Sequence, residues 1–274
     1  MVSVVVVAKT RDRAGNKNDV QASATVDPTA ALAEVFAGKS EPARKASPAE
    51  AAISAAAKQN RYVFVTFYRN NDDASKKMQT AMKSAQGKLS HRANFVSIDV
   101  EDPVQQEVVS RYGADRSPIP LTLAIAPNGA VTAGFPNEIK KGDFSNVFVS
   151  DGMATVLKVL QGQKLAAVCV QGSRTKNNKS SLATAEELKA DPQLGGAVEI
   201  VKIDPSDRSE AKFMKMCQVD VHSAHAQLLV LAPPGRVVGK FDGTATKDDI
   251  MTTLKSSLGG GCGGGSCAPS GCGP

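Results

Sequence analysis

The chain has 274 residues, 42% of them hydrophobic and 22% charged, which is the composition of a folded chain with room for about two domains. No apolar run approaches the roughly 20 residues of a membrane helix, and the opening MVSVVVVAKTRDR carries no intact secretory leader, so cytoplasmic and exported locations both stay open. A net charge of +6 permits weak attraction to polyanions, but without a basic face interleaved with aromatics it specifies no nucleic-acid partner.

Residues 1–45 are rich in Ala, Lys, Asp and Ser and hold no sustained period. A hairpin there would lack a partner sheet, so the segment reads as an arm or linker. Regular structure is predicted from Ser47-Pro48-Ala49-Glu50, a capping-box pattern with proline at the first helical position, followed by the helix-favouring AAISAAAKQN. A buried strand at 62–68 (YVFVTFY) then breaks into a polar turn. After it come a helix at 74–87, a strand at 94–99, a helix at 103–112, and strands at 120–126 and 131–135 joined at Asn128-Gly129. A helix over roughly 150–161 closes this unit. Lys76, Lys77, Lys83 and Lys88 on the helix after the turn read as a solvated face.

The second half repeats the plan. Strands are expected at 165–170 and 198–203, a hairpin at 227–232 and 236–241, and helices at 182–190, 208–217 and 246–257, with Thr184 and Glu187 helping to cap the first of these. The halves also match in letters: FVSIDVED at 95–102 answers IVKIDPSD at 200–207, and LTLAIAPNGAVTAGF at 121–135 answers QLLVLAPPGRVVGKF at 227–241. The offset from Ile98 to Ile203 is nearly that from Phe135 to Phe241, so two copies of one fold, joined near Gly162, explain the pattern.

The strand–turn–helix at 62–87, the Ile98-Asp99 strand end, and Ser117-Pro118-Ile119-Pro120 leading into LTLAIAPNG resemble the thioredoxins over residues 46–160. The resemblance implies an α/β fold of two tandem thioredoxin-like domains, each a central mixed sheet flanked by helices. The divisions are an arm at 1–45, a first domain at 46–162, a degenerate second at 163–258 and a Gly/Cys-rich tail at 259–274. It also implies a cis bond at Ile119-Pro120, which proline permits at modest cost; a trans proline at a strand start is the other reading.

Thioredoxins carry Cys-x-x-Cys in the turn after the strand, whereas the matching positions here are Asp72 and Ser75. Dithiol exchange needs a thiolate and a resolving thiol, and a carboxylate with a hydroxyl supplies neither. Asp72 and Asp73 suit a helix start as cap and dipole partner. The second copy has no cysteine between 171 and 179, and Ala226 stands where Pro120 does. The resemblance therefore implies a non-catalytic interaction or scaffold protein rather than an enzyme. Its candidate surface for a protein or peptide partner is Arg69, Asp72, Ser75, Ile119 and Pro120.

The alternative places function in the tail. Cys262, Cys267 and Cys272 recur on a glycine-rich stretch, three thiols that could wrap Zn²⁺ or Cu(I), or crosslink copies through disulfides. The usual zinc spacing is missing, and elsewhere no cofactor motif is found. Cys169 and Cys217 read as small buried hydrophobes. His222 and His225 lack the further ligands that a metal needs.

Overall fold

The computed structural model describes residues 46–70, 72–140 and 143–258. The arm at 1–45 and the tail at 259–274, with Cys262, Cys267 and Cys272, lie outside the described residues. Helix α1 (Pro48–Lys58) leads into β1 (Tyr62–Tyr68), α2 (Asp73–Leu89), β2 (Ala93–Asp99), α3 (Gln106–Arg111), β3 (Leu121–Ile125) and β4 (Val131–Pro136). The second series is α4 (Asp151–Gln161), β5 (Leu165–Val170), α5 (Asn178–Ala190), β6 (Val198–Ile203), α6 (Ala211–Met216), β7 (Gln227–Ala232), β8 (Arg236–Asp242) and α7 (Lys247–Leu258).

Each series builds a four-stranded mixed sheet, in the orders β2-β1-β3-β4 and β6-β5-β7-β8. In both, the first two strands run parallel and the later pairings are antiparallel. Helices cover both faces. Val65, Phe67 and Val108 pack on one side of the first sheet, and Phe64, Met78 and Met82 on the other. Central strands buried on both faces explain the unbroken apolar runs in β1 and β5. These are two thioredoxin-like α/β folds.

The repeated letters make repeated bonds. At the end of β2, Asp99 accepts from the Glu101 amide (3.0 Å) and Asp102 from the Val104 amide (2.9 Å). At the end of β6, Asp204 accepts from the Ser206 amide (2.8 Å) and Asp207 from the Ser209 amide (2.8 Å). Each Ile-Asp-x-x-Asp run is thus a pair of side-chain-closed turns. They start a short 3₁₀ segment, 103–105 or 208–210, before the α-helix proper, where the sequence reading had one continuous helix. A bulge also recurs, between Ala124 and Ile125 and between Val230 and Leu231.

Two expectations need correction. Helix α4 does not simply close the first unit. Val156 and Leu160 sit in the core beneath β5 and β6, while Ala154 packs against Ala126 and Ala130 of the first copy. It holds the place in the second copy that α1 holds in the first. The serine N-caps correspond, Ser47 accepting from the Glu50 amide and Ser150 from the Met153 amide. The second correction concerns α5, which begins at Asn178 rather than 182. Asn177 enters it at φ 63° without a side-chain cap, and Thr184, expected to cap, lies mid-helix with its hydroxyl donating to the Ala245 carbonyl (3.0 Å).

The copies also end differently. In the second, α7 lays Ile250, Met251 and Leu254 over α5. In the first, no α-helix is found on the α2 side after β4 among the described residues; Ile139, Phe144, Val147 and Phe148, with a 3₁₀ turn at Asp143–Asn146, fold over α2 and Phe64 instead.

Candidate interaction site

The register of β1 against β3 pairs Phe67 with Leu121, so the turn after β1 and the segment 119–120 emerge at the same end of the sheet. The Ile119–Pro120 bond is cis, as the resemblance implied. Pro120 is buried, and Ile119 is half-buried against the core.

Asp72 caps α2. Its carboxylate accepts from the amides of Ala74 (3.1 Å) and Ser75 (3.3 Å) and from the Ser75 hydroxyl (2.8 Å). The Ser75 hydroxyl, the first cause, and then the Ala74 amide hold the Asp72 carboxyl below its ordinary range. Ser75 is only 1% exposed, and its oxygen also accepts from the Arg69 amide (3.3 Å). The hydroxyl is thus enclosed between the strand end and the cap. The Arg69 side chain turns to Glu101 (3.8 Å), and the amide of the Asn70 side chain bonds Asp99.

The sequence reading placed Arg69, Asp72, Ser75, Ile119 and Pro120 on one surface. The structure links the first three by hydrogen bonds and sets the last two at the same sheet end. It missed Asn70, Asp99 and Glu101, which tie the turn to β2. The signal for Asp99 and Glu101 was the Ile-Asp-x-x-Asp run, read there as a repeat rather than as a brace; Asn70 carried no such signal.

The second copy closes the same place by its own backbone. The Lys176 amide donates to the Ala224 carbonyl (2.8 Å), and the Ala226 amide donates to the Lys176 carbonyl (2.8 Å). Proline has no amide hydrogen, so Pro120 cannot make the bond that Ala226 makes. Beside that closure lies a polar cleft of about 300 Å³ between Arg174, Asp204 and His222. Gly172 lines it, and a Cβ there would meet Asp204 Oδ1 at 2.6 Å. The Ser206 hydroxyl and amide hold the Asp204 carboxyl below its ordinary range.

The two thiols among the described residues, Cys169 in β5 and Cys217 at the end of α6, both belong to the second copy and are buried. Cys169 is 0% exposed and pairs in register with Leu228, where the first copy has the buried Thr66–Thr122 hydroxyl pair (3.0 Å). Burial pushes both Cys169 and Cys217 above the ordinary thiol range. Among the described residues no three His, Cys, Asp or Glu side chains converge to hold a metal, and His225 Nδ1 lies 3.2 Å from the Asn177 side chain. Among the same residues no helix is long and apolar enough to cross a membrane.

No protein-family model matches the chain, and no curated protein matches it. Among solved structures it is similar to the germline-specific thioredoxin Deadhead of Drosophila melanogaster, with 21% identity and a TM-score of 0.31 over 38% of this chain and 93% of that one. A thioredoxin from Thermus thermophilus matches with 24% identity and a TM-score of 0.30 over 36% and 79%. A disulphide isomerase from Xylella fastidiosa Temecula1 matches with 16% identity and a TM-score of 0.29 over 34% and 76%. The fold assignment rests on the strand order and register of the two sheets.

Proposed function

We propose that this chain is a non-catalytic interaction or scaffold protein built on two thioredoxin-like folds, with the first copy presenting its sheet end to a protein or peptide partner. The observation that carries this reading is Ser75, whose buried hydroxyl is bound to the Asp72 carboxylate in the turn where the fold's dithiol would stand. Neither group is a thiol nucleophile, and the two cysteines of the folded copies are buried with raised pKa values. Arg69, Asp72 and Ile119, at an end where no backbone bridge is found among the described residues, supply a charged rim and an apolar contact.

Reduction of insulin disulfides by the full chain tests the catalytic half. The expected rate is background, both for the wild type and for a Cys262, Cys267, Cys272→Ser variant. Turnover well above background that survives those three replacements would overturn the reading. The binding half is tested with displayed peptides selected on the full chain: binders should lose affinity for Ile119→Arg and keep it for a Ser173→Arg control in the second copy. Equal retention by both variants would place recognition elsewhere.

A further inference from the structure

The strongest unclaimed feature is the outer face of α2. Two adjoining depressions run along it and share Ala81 and Ile139. One, of about 360 Å³, is lined by Ala81, Ser84, Ala85, Leu89 and Phe144; the other, of about 410 Å³, reaches the first helical turn at Ala74 and Lys77. Both fall in the size range of binding pockets, about 300–1,000 Å³. From Ala74 to Leu89 the face extends on the order of 20 Å at a rise of ~1.5 Å per residue.

We propose that this face is a docking groove for an acidic amphipathic helix of a partner protein. The second copy supplies the template for the occupant. Its equivalent face, on α5, is covered by α7, a 12-residue helix that lays Ile250, Met251 and Leu254 on Ala185 and Leu188. Among the described residues the first copy has no α-helix on this side; the shorter segment after β4, with a 3₁₀ turn at Asp143–Asn146, borders the depressions through Ile139 and Phe144. A stripe of aliphatic side chains at helical spacing therefore matches what this fold places there.

The charge of the occupant follows from the rim. In the second copy the junction is sealed by Lys247 Nζ on Asp191 (3.0 Å), the basic partner lying on the docked helix and the acidic one at the end of α5. On α2 the signs are reversed. Lys88 stands at the corresponding end and Lys77 near the start, both exposed, and neither has an ion-pair partner among the described residues. Among the described residues Glu138 is the one carboxylate lining the second depression, and it pairs with Lys140 (3.2 Å). A docked helix with carboxylates flanking its aliphatic stripe meets these lysines, whereas α7 itself would bring Lys247 against them.

The probe is a synthetic peptide of residues 246–258 in which Lys247 and Lys255 are replaced by Glu, titrated into the ¹⁵N-labelled full chain. Amide shifts are expected at Ala81, Ser84, Ala85 and Ile139. The unmodified peptide should bind about 10-fold more weakly, the scale of a lost charged contact at an interface. Ala81→Arg should abolish the shifts by filling the groove. A Lys77→Glu, Lys88→Glu variant changes only exposed side chains and should reverse the preference between the two peptides. The proposal is overturned if α2 shows no shifts at millimolar peptide, or if shifts are confined to 69–75 and 119–120. It is overturned equally if sedimentation shows a dimer whose formation the peptide inhibits, since the groove is then covered by a second copy.

Discussion

The two copies share one bond in the turn after the central strand, a backbone amide donating to a hydroxyl (Arg69 to Ser75, Gly172 to Thr175), and differ in the rest. After β1, a side-chain cap and a buried hydroxyl hold the chain, and Pro120 leaves the facing backbone without a donor. After β5, Asn177 makes no cap, and the backbone of Lys176 is bridged to Ala224 and Ala226 instead. Beyond the shared bond, the first copy adds a carboxylate cap and the second a main-chain bridge. Among the described residues, only the second copy bridges the turn to the facing backbone.

The largest expected break in this comparison comes from Leu160→Ala in α4. The lost side chain leaves a cavity under β5 and β6, at about 2–5 kcal/mol. Denaturant unfolding followed at Tyr62, whose hydroxyl bonds the Val149 backbone just before α4, should shift together with far-ultraviolet dichroism. Separate transitions would show that α4 does not couple the copies.

A smaller loss is expected from Glu210→Ala. The Glu210 carboxylate, 4% exposed, accepts from the Ser150 hydroxyl (2.6 Å) and the Gly152 amide (2.8 Å). Its removal strands two donors at the start of α4, at about 1–3 kcal/mol in chemical denaturation. Ser47→Ala tests the matching position in the first copy, where the capping box closes locally through Glu50. There about 0.5–2 kcal/mol is expected. An equal or larger loss at Ser47 than at Glu210 would reverse the ranking.

The smallest effect is confined to acid. Lys164 and Lys189 hold the Glu199 carboxyl down at about 2 from an ordinary 4.5. A depressed carboxyl stabilises the fold above its unfolded pKa and loses that contribution as pH falls toward the folded value. Melting temperature measured from pH 5 down to pH 2 should therefore fall less steeply in Glu199→Gln than in the wild type. Parallel slopes would remove the ion pairs from the account.

Much of this architecture was legible in the letters. The apolar runs of β1 and β5, the Asn128-Gly129 turn and the capping box at Ser47 each encode their structure locally, and the cis proline and strand order followed from the resemblance. What escaped was set by partners distant in sequence. Nothing near Ser150 announces that Glu210 completes its cap, or near Lys176 that Ala226 bridges it. The periodicity of 150–161 located a helix correctly but could not say which sheet its Val156 and Leu160 would meet. The start of α5 was misplaced for a related reason. The polar run 174–181 has no apolar period, and its first turn is organised by hydrogen bonds among Gly172, Thr175 and Asn178.

The position of α4 bears on how the chain can be divided. A cut at 162, the sequence's natural seam, would strip the second sheet of Val156 and Leu160 and leave their apolar side chains on the wrong fragment. A cut before Ser150 keeps the helix with the strands it fills but takes Ala154 away from Ala126 and Ala130. Neither fragment would be a clean module, because α4 is a part shared by both folds.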